Sequence, residues 1–346
     1  MKKVHLSLKI LFNVILILSL VLNIFLILQK VELLKLDELQ SKEDKLDVNA
    51  IEEYVWIATM TSHEMYVEHE QKALKQFGKE KGIKVTIEGP KQYDIPGQIL
   101  AIEQAIKRKP AGIMVLGMEK SLIPAVNKAV EAGIPTITVD ADLPESKRLA
   151  HVGSNWFDIG VKQGEAMAKL IGGKGKVAML GIGGADNMQE GFKGFKSVLS
   201  NYSDIIVLGE FDDMSDVDEA YRITKELLTQ HLDIAGIAGF DSNSGPGIGK
   251  AIKEMDMVGK VKVTSVDMQP QHVQLLKEGV IHKLIGQKRE LFTYYGAQLL
   301  YDINHSNINI TPQDEMNNIT SIPEMIYTGL VEIDKNNVDK IFESTD

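Results

Sequence analysis

The sequence predicts an α/β protein of two Rossmann-like open parallel-sheet lobes joined by a hinge, preceded by a transmembrane helix. Three observations carry this. From Tyr54 onward, short apolar runs alternate with amphipathic segments of helical length. The alternation starts afresh near Lys176, which gives two sets rather than one. Most apolar runs end in a polar residue or a glycine-rich turn, as at Asp140, Asp241, Asp267 and Gln287. In open parallel sheets ligands bind beyond the carboxyl ends of the strands, so two facing lobes would converge these groups on one cleft.

In the first set, strands are predicted at 54–59, 83–87, 111–116, 134–139 and 149–153. Helices are predicted at 64–81, stopped by Gly82, at 94–108, with Pro96 in a first turn that needs no N–H there, and at 122–132. In the second set, strands fall at 176–180, 205–210, 234–240, 261–266 and 281–286, and helices at 188–199, 217–229, 247–255 and 271–278. A further helix follows Gln287 and returns to the first lobe. Residues 302–318, polar and rich in Asn, read as a loop, and 326–333 as one final strand. A (β/α)8 barrel is the competing architecture, and the polar tail fits it poorly. The chain is expected to cross between lobes at Trp156, near Lys288 and in the polar tail. The resulting division is 1–30 for a cytoplasmic tip and transmembrane anchor, 31–52 for a juxtamembrane helical stalk, 53–155 plus 289–310 for the N-terminal lobe, and 156–288 plus 311–340 for the C-terminal lobe.

The anchor rests on residues 10–28, 19 residues without a charge, long enough to cross a hydrocarbon core of about 30 Å. Lys2, Lys3 and Lys9 precede the run, which by the positive-inside rule leaves the N-terminus in the cytoplasm and the binding domain outside. A cleaved signal would show a shorter apolar region and a small-residue cleavage site. Residues 31–46 carry Leu33, Leu36 and Leu39 at helical spacing among charges, the pattern of a solvated stalk or a short partner-binding helix.

Composition excludes several functions. A net charge of −10 opposes a nucleic-acid partner. The absence of Cys removes disulfides, thiol nucleophiles, Cys-ligated zinc and a lipidated N-terminal Cys. No HExxH or GxSxG spacing occurs, and the glycines at 244–250 and 181–184 miss the phosphate-loop and dinucleotide patterns. No cofactor, no metal and no enzymatic activity are expected. What remains suits a small neutral sugar: Asp140, Asp241 and Asp267 as acceptors, Asn187 and Gln287 as donor and acceptor, and Tyr66 and Trp156 as aromatic faces. Each of these aspartates has helix capping as its competing role.

At these residues the chain resembles the type I periplasmic sugar-binding proteins of the ribose-, galactose- and xylose-binding kind. The resemblance covers roughly residues 54–335. It is carried by AGIMVLGMEKSLIPAVNKAVEAGIPTITVDAD, HVGSNWFDIGVKQGEAM, GADNMQEGFKGFK, IAGFDSNSGPGIGKAIKE and VTSVDMQPQHVQLLKEGVIHKLIGQKRELFTYYGAQLL. It implies an aromatic cover from the loop at 61–66, a sugar-binding Asp140, and second-lobe ligands at Asp241 or Asn243, Asp267 and Gln287. Two family arginines are absent, since Ala141 follows Asp140 and Gly191 occupies the second-lobe position. Asn187, Trp156 and Asp94 are the expected substitutes. The absence of both weakens a simple ribose assignment and puts a pentose, xylose first, ahead. The lactose-repressor relatives of this fold carry an N-terminal DNA-binding module where this chain has its apolar run. With its anchor, the chain resembles the membrane-anchored xylose-binding proteins of clostridia. That likeness implies closure on the sugar and a signal to a membrane sensor histidine kinase; an ABC permease is the alternative partner.

Overall fold

A computed structural model describes residues 52–305 and 322–342. The anchor at 10–28, the stalk up to residue 51 and most of the polar run at 302–318 lie outside the described residues. Among the described residues, no helix is long and apolar enough to cross a membrane.

The first sheet is built from β1 (Glu53–Ile57), β2 (Lys84–Glu88), β3 (Gly112–Val115), β4 (Thr136–Asp140), β5 (His151–Gly153) and β11 (Met325–Tyr327). Its order is β11-β5-β4-β3-β1-β2, parallel throughout. Both faces are covered, so its strands are continuously apolar instead of alternating. Val55 and Ile57 point to one face, against Ile102 and Val126 of α3 (Ile95–Arg108) and α4 (Ile123–Glu131). Tyr54 and Trp56 point to the other, against Leu74 and Phe77 of α2 (Glu70–Lys81) and Leu300 of α10 (Glu290–His305).

The second sheet has the order β12-β10-β9-β8-β6-β7. It comprises β6 (Lys174–Gly181), β7 (Asp204–Asp212), β8 (Ile234–Gly239), β9 (Lys262–Val266), β10 (Lys283–Gln287) and β12 (Leu330–Ile333). All pairs are parallel except β10 with β12. α7 (Val217–Gln230), α8 (Ser244–Glu254), α9 (Pro270–Lys277) and the short α11 (Val338–Phe342) cover one face around Leu180, Ile237 and Val263. α5 (Trp156–Leu170) and α6 (Asp186–Leu199) cover the other around Val177, Met179 and Ala238. The α5–α6 crossing depends on glycine: a Cβ on Gly160 would lie 1.9 Å from the Gly191 carbonyl oxygen, and one on Gly194 2.1 Å from that of Phe157.

Three features differ from the sequence reading. The helix expected at 64–81 is broken at His69 (φ −113°, ψ −77°) into α1 (Glu64–Glu68) and α2. The single strand expected at 326–333 is two strands in two sheets, with Gly329 at φ 81° between them. The third crossing therefore falls at Thr328 and Gly329 rather than in the polar tail, and β11, inside the span 311–340 assigned to the second lobe, completes the first sheet. Periodicity could not separate these strands, because both are short and continuous in sequence.

Candidate functional site

Two aspartates mark the ends of corresponding strands. Asp140 is the last residue of β4, and Asp267 directly follows β9. Their backbones are left-handed, with φ of 68° and 71°. A non-glycine residue seldom takes this conformation, which costs roughly 1–2 kcal/mol. Each chain turns sharply where the strand ends, and the carboxylate is presented beyond the sheet.

Around Asp140 the site is a buried ionic clamp. Arg289 leads from β10 into α10, and its Nη2 donates to Asp140 Oδ2 at 2.6 Å. The same nitrogen lies 2.5 Å from Glu70 Oε1. Glu70 is fully buried and Arg289 is 5% exposed. Burial pushes the Glu70 carboxyl up to about 7; Arg289 opposes the rise and Asp140 adds to it. Burial works against the charge on Arg289, but Asp140 and Glu70 hold its pKa above the ordinary arginine value. Tyr66 is buried beneath the guanidinium, 5.4 Å from its ring centroid to Arg289 Cζ, and meets Trp56 edge-on at 5.8 Å. Burial, then Asp140, raises the Tyr66 phenol well above its usual range, so it stays a neutral hydroxyl.

The second lobe contributes the opposing wall. Gln287 Nε2 donates to Asp267 Oδ1 at 3.0 Å. Gln269 Nε2 contacts Met65 Sδ of the first lobe at 3.4 Å. Met65, His69, Asp267, Met268, Gln269, Gln287 and Arg289 line one pocket, so residues of both lobes and of the second crossing share it. His63 lies within electrostatic reach of Arg289, Asp241 and Asp267; burial, then Arg289, lowers its pKa and favours the neutral ring.

Several buried polar atoms here have no hydrogen-bond partner: His63 Nδ1, Trp156 Nε1, Gln269 Oε1, Gln287 Oε1 and Arg289 Nε. Buried polar groups are normally satisfied, and an unpaired one costs about 1–3 kcal/mol. The set mixes donors and acceptors, which matches hydroxyl groups, since each hydroxyl both donates and accepts.

The residues singled out from sequence separate into three groups. Tyr66 and Asp140 meet through Arg289, and Asp267 bonds Gln287. Asp241 and Trp156 lie close by in different ways. Asp241 accepts from Ser215 Oγ at 2.7 Å and from the Asn243 amide at 2.9 Å, and burial raises its pKa. Trp156 is half-buried at the first crossing and packs on the Phe192–Phe240 cluster. Asp94 and Asn187 are not joined to these. Asp94 is exposed and caps α3, accepting from the Gly97 amide at 3.0 Å. Asn187 is half-buried in the first turn of α6 and makes no hydrogen bond to Asp140, Asp267 or Gln287.

Sequence reasoning missed Arg289, Glu70 and Gln269. The guanidinium thought absent beside Asp140 arrives from the second crossing, within the same IGQKR run that supplied Gln287. At Gly191 a Cβ would meet the Phe240 ring at 3.0 Å and Trp156 at 3.6 Å, which leaves little room for a side chain. Glu70 had no local signal, because it lay inside what read as one helix.

Two lobes, one on a parallel sheet and one on a sheet parallel but for its β12 edge, with strand ends lining a common pocket and three crossings between them, define a two-lobed ligand-binding protein. The chain belongs to the periplasmic binding protein domain family, whose model matches residues 54–305. It is similar to the sugar-binding protein of a sugar ABC transporter from Bacillus halodurans, with 29% identity and a TM-score of 0.78 over 84% of this chain and 100% of that one. The arabinose-binding protein AraP from Geobacillus stearothermophilus gives 29% identity and a TM-score of 0.75 over 84% and 99%. The ribose import binding protein of Bacillus subtilis is 26% identical over 242 residues, 68% of this chain and 76% of that one. The xylitol-binding protein of Mycolicibacterium smegmatis is 28% identical over 190 residues, so the chain spans about half of that relative, 54%. These relatives are binding proteins rather than enzymes.

Proposed function

We propose that the protein is an extracytoplasmic sugar receptor that closes its two lobes on a pentose, xylose first. The observation that carries this reading is the pair of strand-end aspartates, Asp140 and Asp267, with the unpartnered Gln269 Oε1, Gln287 Oε1 and Arg289 Nε on residues that line the pocket with Asp267. In this reading Asp140, Arg289, Asp267, Gln287 and Gln269 bind hydroxyls, while Tyr66 and Trp156 cover the apolar face of the ring. Asp241 supports the wall from behind. Ligand favours the closed arrangement only by binding it more tightly than the open one. The names of the ribose, arabinose and xylitol relatives support a ligand of this size. Calorimetric titration with xylose, ribose, arabinose, xylitol, galactose and glucose tests it. Binding of a five-carbon ligand is expected, and no heat from any of the six with folded protein overturns it.

For the output, the transporter relatives favour delivery to an ABC permease. The uncharged run at 10–28 favours a second reading, a tethered receptor that signals to a membrane sensor histidine kinase. Affinity capture of the full-length protein from its own membranes, with and without sugar, separates them: permease subunits without a kinase sink the sensor reading.

A further inference from the structure

We propose that Glu70 is a positioning residue for the sugar site: without touching ligand, it fixes the Arg289 guanidinium against Asp140 and so sets affinity. The proposal rests on the cleft being the ligand site.

Glu70 is fully buried, so its role is exerted through its neighbours. It and Asp140 reach the same guanidinium nitrogen, at 2.5 Å and 2.6 Å, from two different elements of the first lobe. The surroundings over-determine its place. The Glu70 carbonyl accepts from Thr293 Oγ1 at 2.6 Å, and the adjacent His69 Nδ1 lies 2.5 Å from Glu290 Oε1. The helix break at His69 is thereby stitched to the start of α10, and Arg289 is held between the two. Two carboxylates facing one guanidinium carry one negative charge in excess, and neither Glu70 oxygen has a hydrogen-bond partner, so its hold on Arg289 is the close ion pair alone. The charged and titratable groups around Glu70 are Arg289 from the second crossing, Asp140 from β4, Tyr66 from α1, and the His69–Glu290 pair. Tyr66 is neutral and His69 is paired, so Glu70 is the group that takes the extra proton, with its carboxyl at about 7. Once neutral, it releases its hold, and Asp140 alone restrains a guanidinium that must also meet ligand.

The test uses the full-length protein. Wild type, Glu70→Gln and Glu70→Asp are titrated with xylose, ribose and arabinose between pH 6 and 8. In parallel, the Arg289 side-chain Nε–H resonance, assigned by its loss in Arg289→Lys, is followed without ligand. Wild-type affinity is expected to fall as pH drops through about 7. Glu70→Gln is expected to bind about tenfold more weakly at pH 8, the effect of losing one buried charge contact, with a flat pH profile. Glu70→Asp keeps the pH dependence. The Arg289 resonance shifts with pH in wild type and is displaced in Glu70→Gln. Wild-type affinity and pH profile in Glu70→Gln overturn the proposal. So does an Arg289 resonance in wild type that is insensitive to pH between 6 and 8, a readout that needs neither ligand nor the Glu70 variants. If no sugar binds wild type, the sugar reading fails while the resonance still decides the role of Glu70.

Discussion

Asp140 and Asp267 share one backbone geometry, φ 68° and 71°, at the ends of strands in two different sheets. Both lobes thus hold a carboxylate in a conformation that most residues avoid: Asp267 lines the pocket with Gln287 and Arg289, and Asp140 holds that Arg289. Backbone strain of this kind persists where surrounding structure enforces it, and it clusters at ligand clamps.

Asp140→Ala is expected to lose about 1.5–3 kcal/mol of ligand affinity, the range for a hydrogen bond to a charged group. Calorimetry on the variant checks this, and unaltered affinity removes Asp140 from the site. At the second aspartate, Asp267→Val should also destabilise the fold by about 1–2 kcal/mol, because a β-branched residue resists the left-handed region, whereas Asp267→Gly should not. Denaturant unfolding of the two variants separates backbone strain from ligand contact.

Trp56 and Trp156 are the two tryptophans of the chain. Both indole N–H groups are buried without a partner, but Trp56 is sealed in the first-lobe core, while Trp156 is half-buried at the first crossing. Ligand should therefore change the emission of Trp156 alone. A fluorescence titration is expected to lose its signal in Trp156→Phe and keep it in Trp56→Phe; the reverse pattern places the ligand elsewhere.

Gly160 admits no side chain at the α5–α6 crossing, where its Cβ would lie 1.9 Å from a backbone oxygen. Gly160→Ala must push two helices apart and should cost about 1–3 kcal/mol or more. A lower denaturation midpoint, with an unchanged slope, is the expected readout.

His272 is buried, with neither ring nitrogen hydrogen-bonded, and burial drives its pKa down to about 4 against a weaker opposing pull from Asp267. The unfolded chain takes up this proton near pH 6.5 and the folded one only near 4. Stability from this group is therefore present above about 6.5 and is lost as pH falls through that window, by up to roughly 3 kcal/mol. In thermal unfolding between pH 7 and 4, His272→Leu should lose less stability than wild type.

The sequence alone determined the two α/β sets, nearly every strand and helix within a few residues, and the line of polar residues at the strand ends. These follow from local periodicity, from Gly82 stopping α2 and from Pro96 in the first turn of α3. Only the tertiary structure decided which polar groups meet. Arg289 and Asp140 are 149 residues apart in the chain, yet they form one ion pair. Glu70 joins them from the middle of an apparently ordinary helix, and the last strand pair divides at Gly329 between two sheets. Local pattern reports burial and turns; charge pairing across crossings depends on distances that the pattern does not encode.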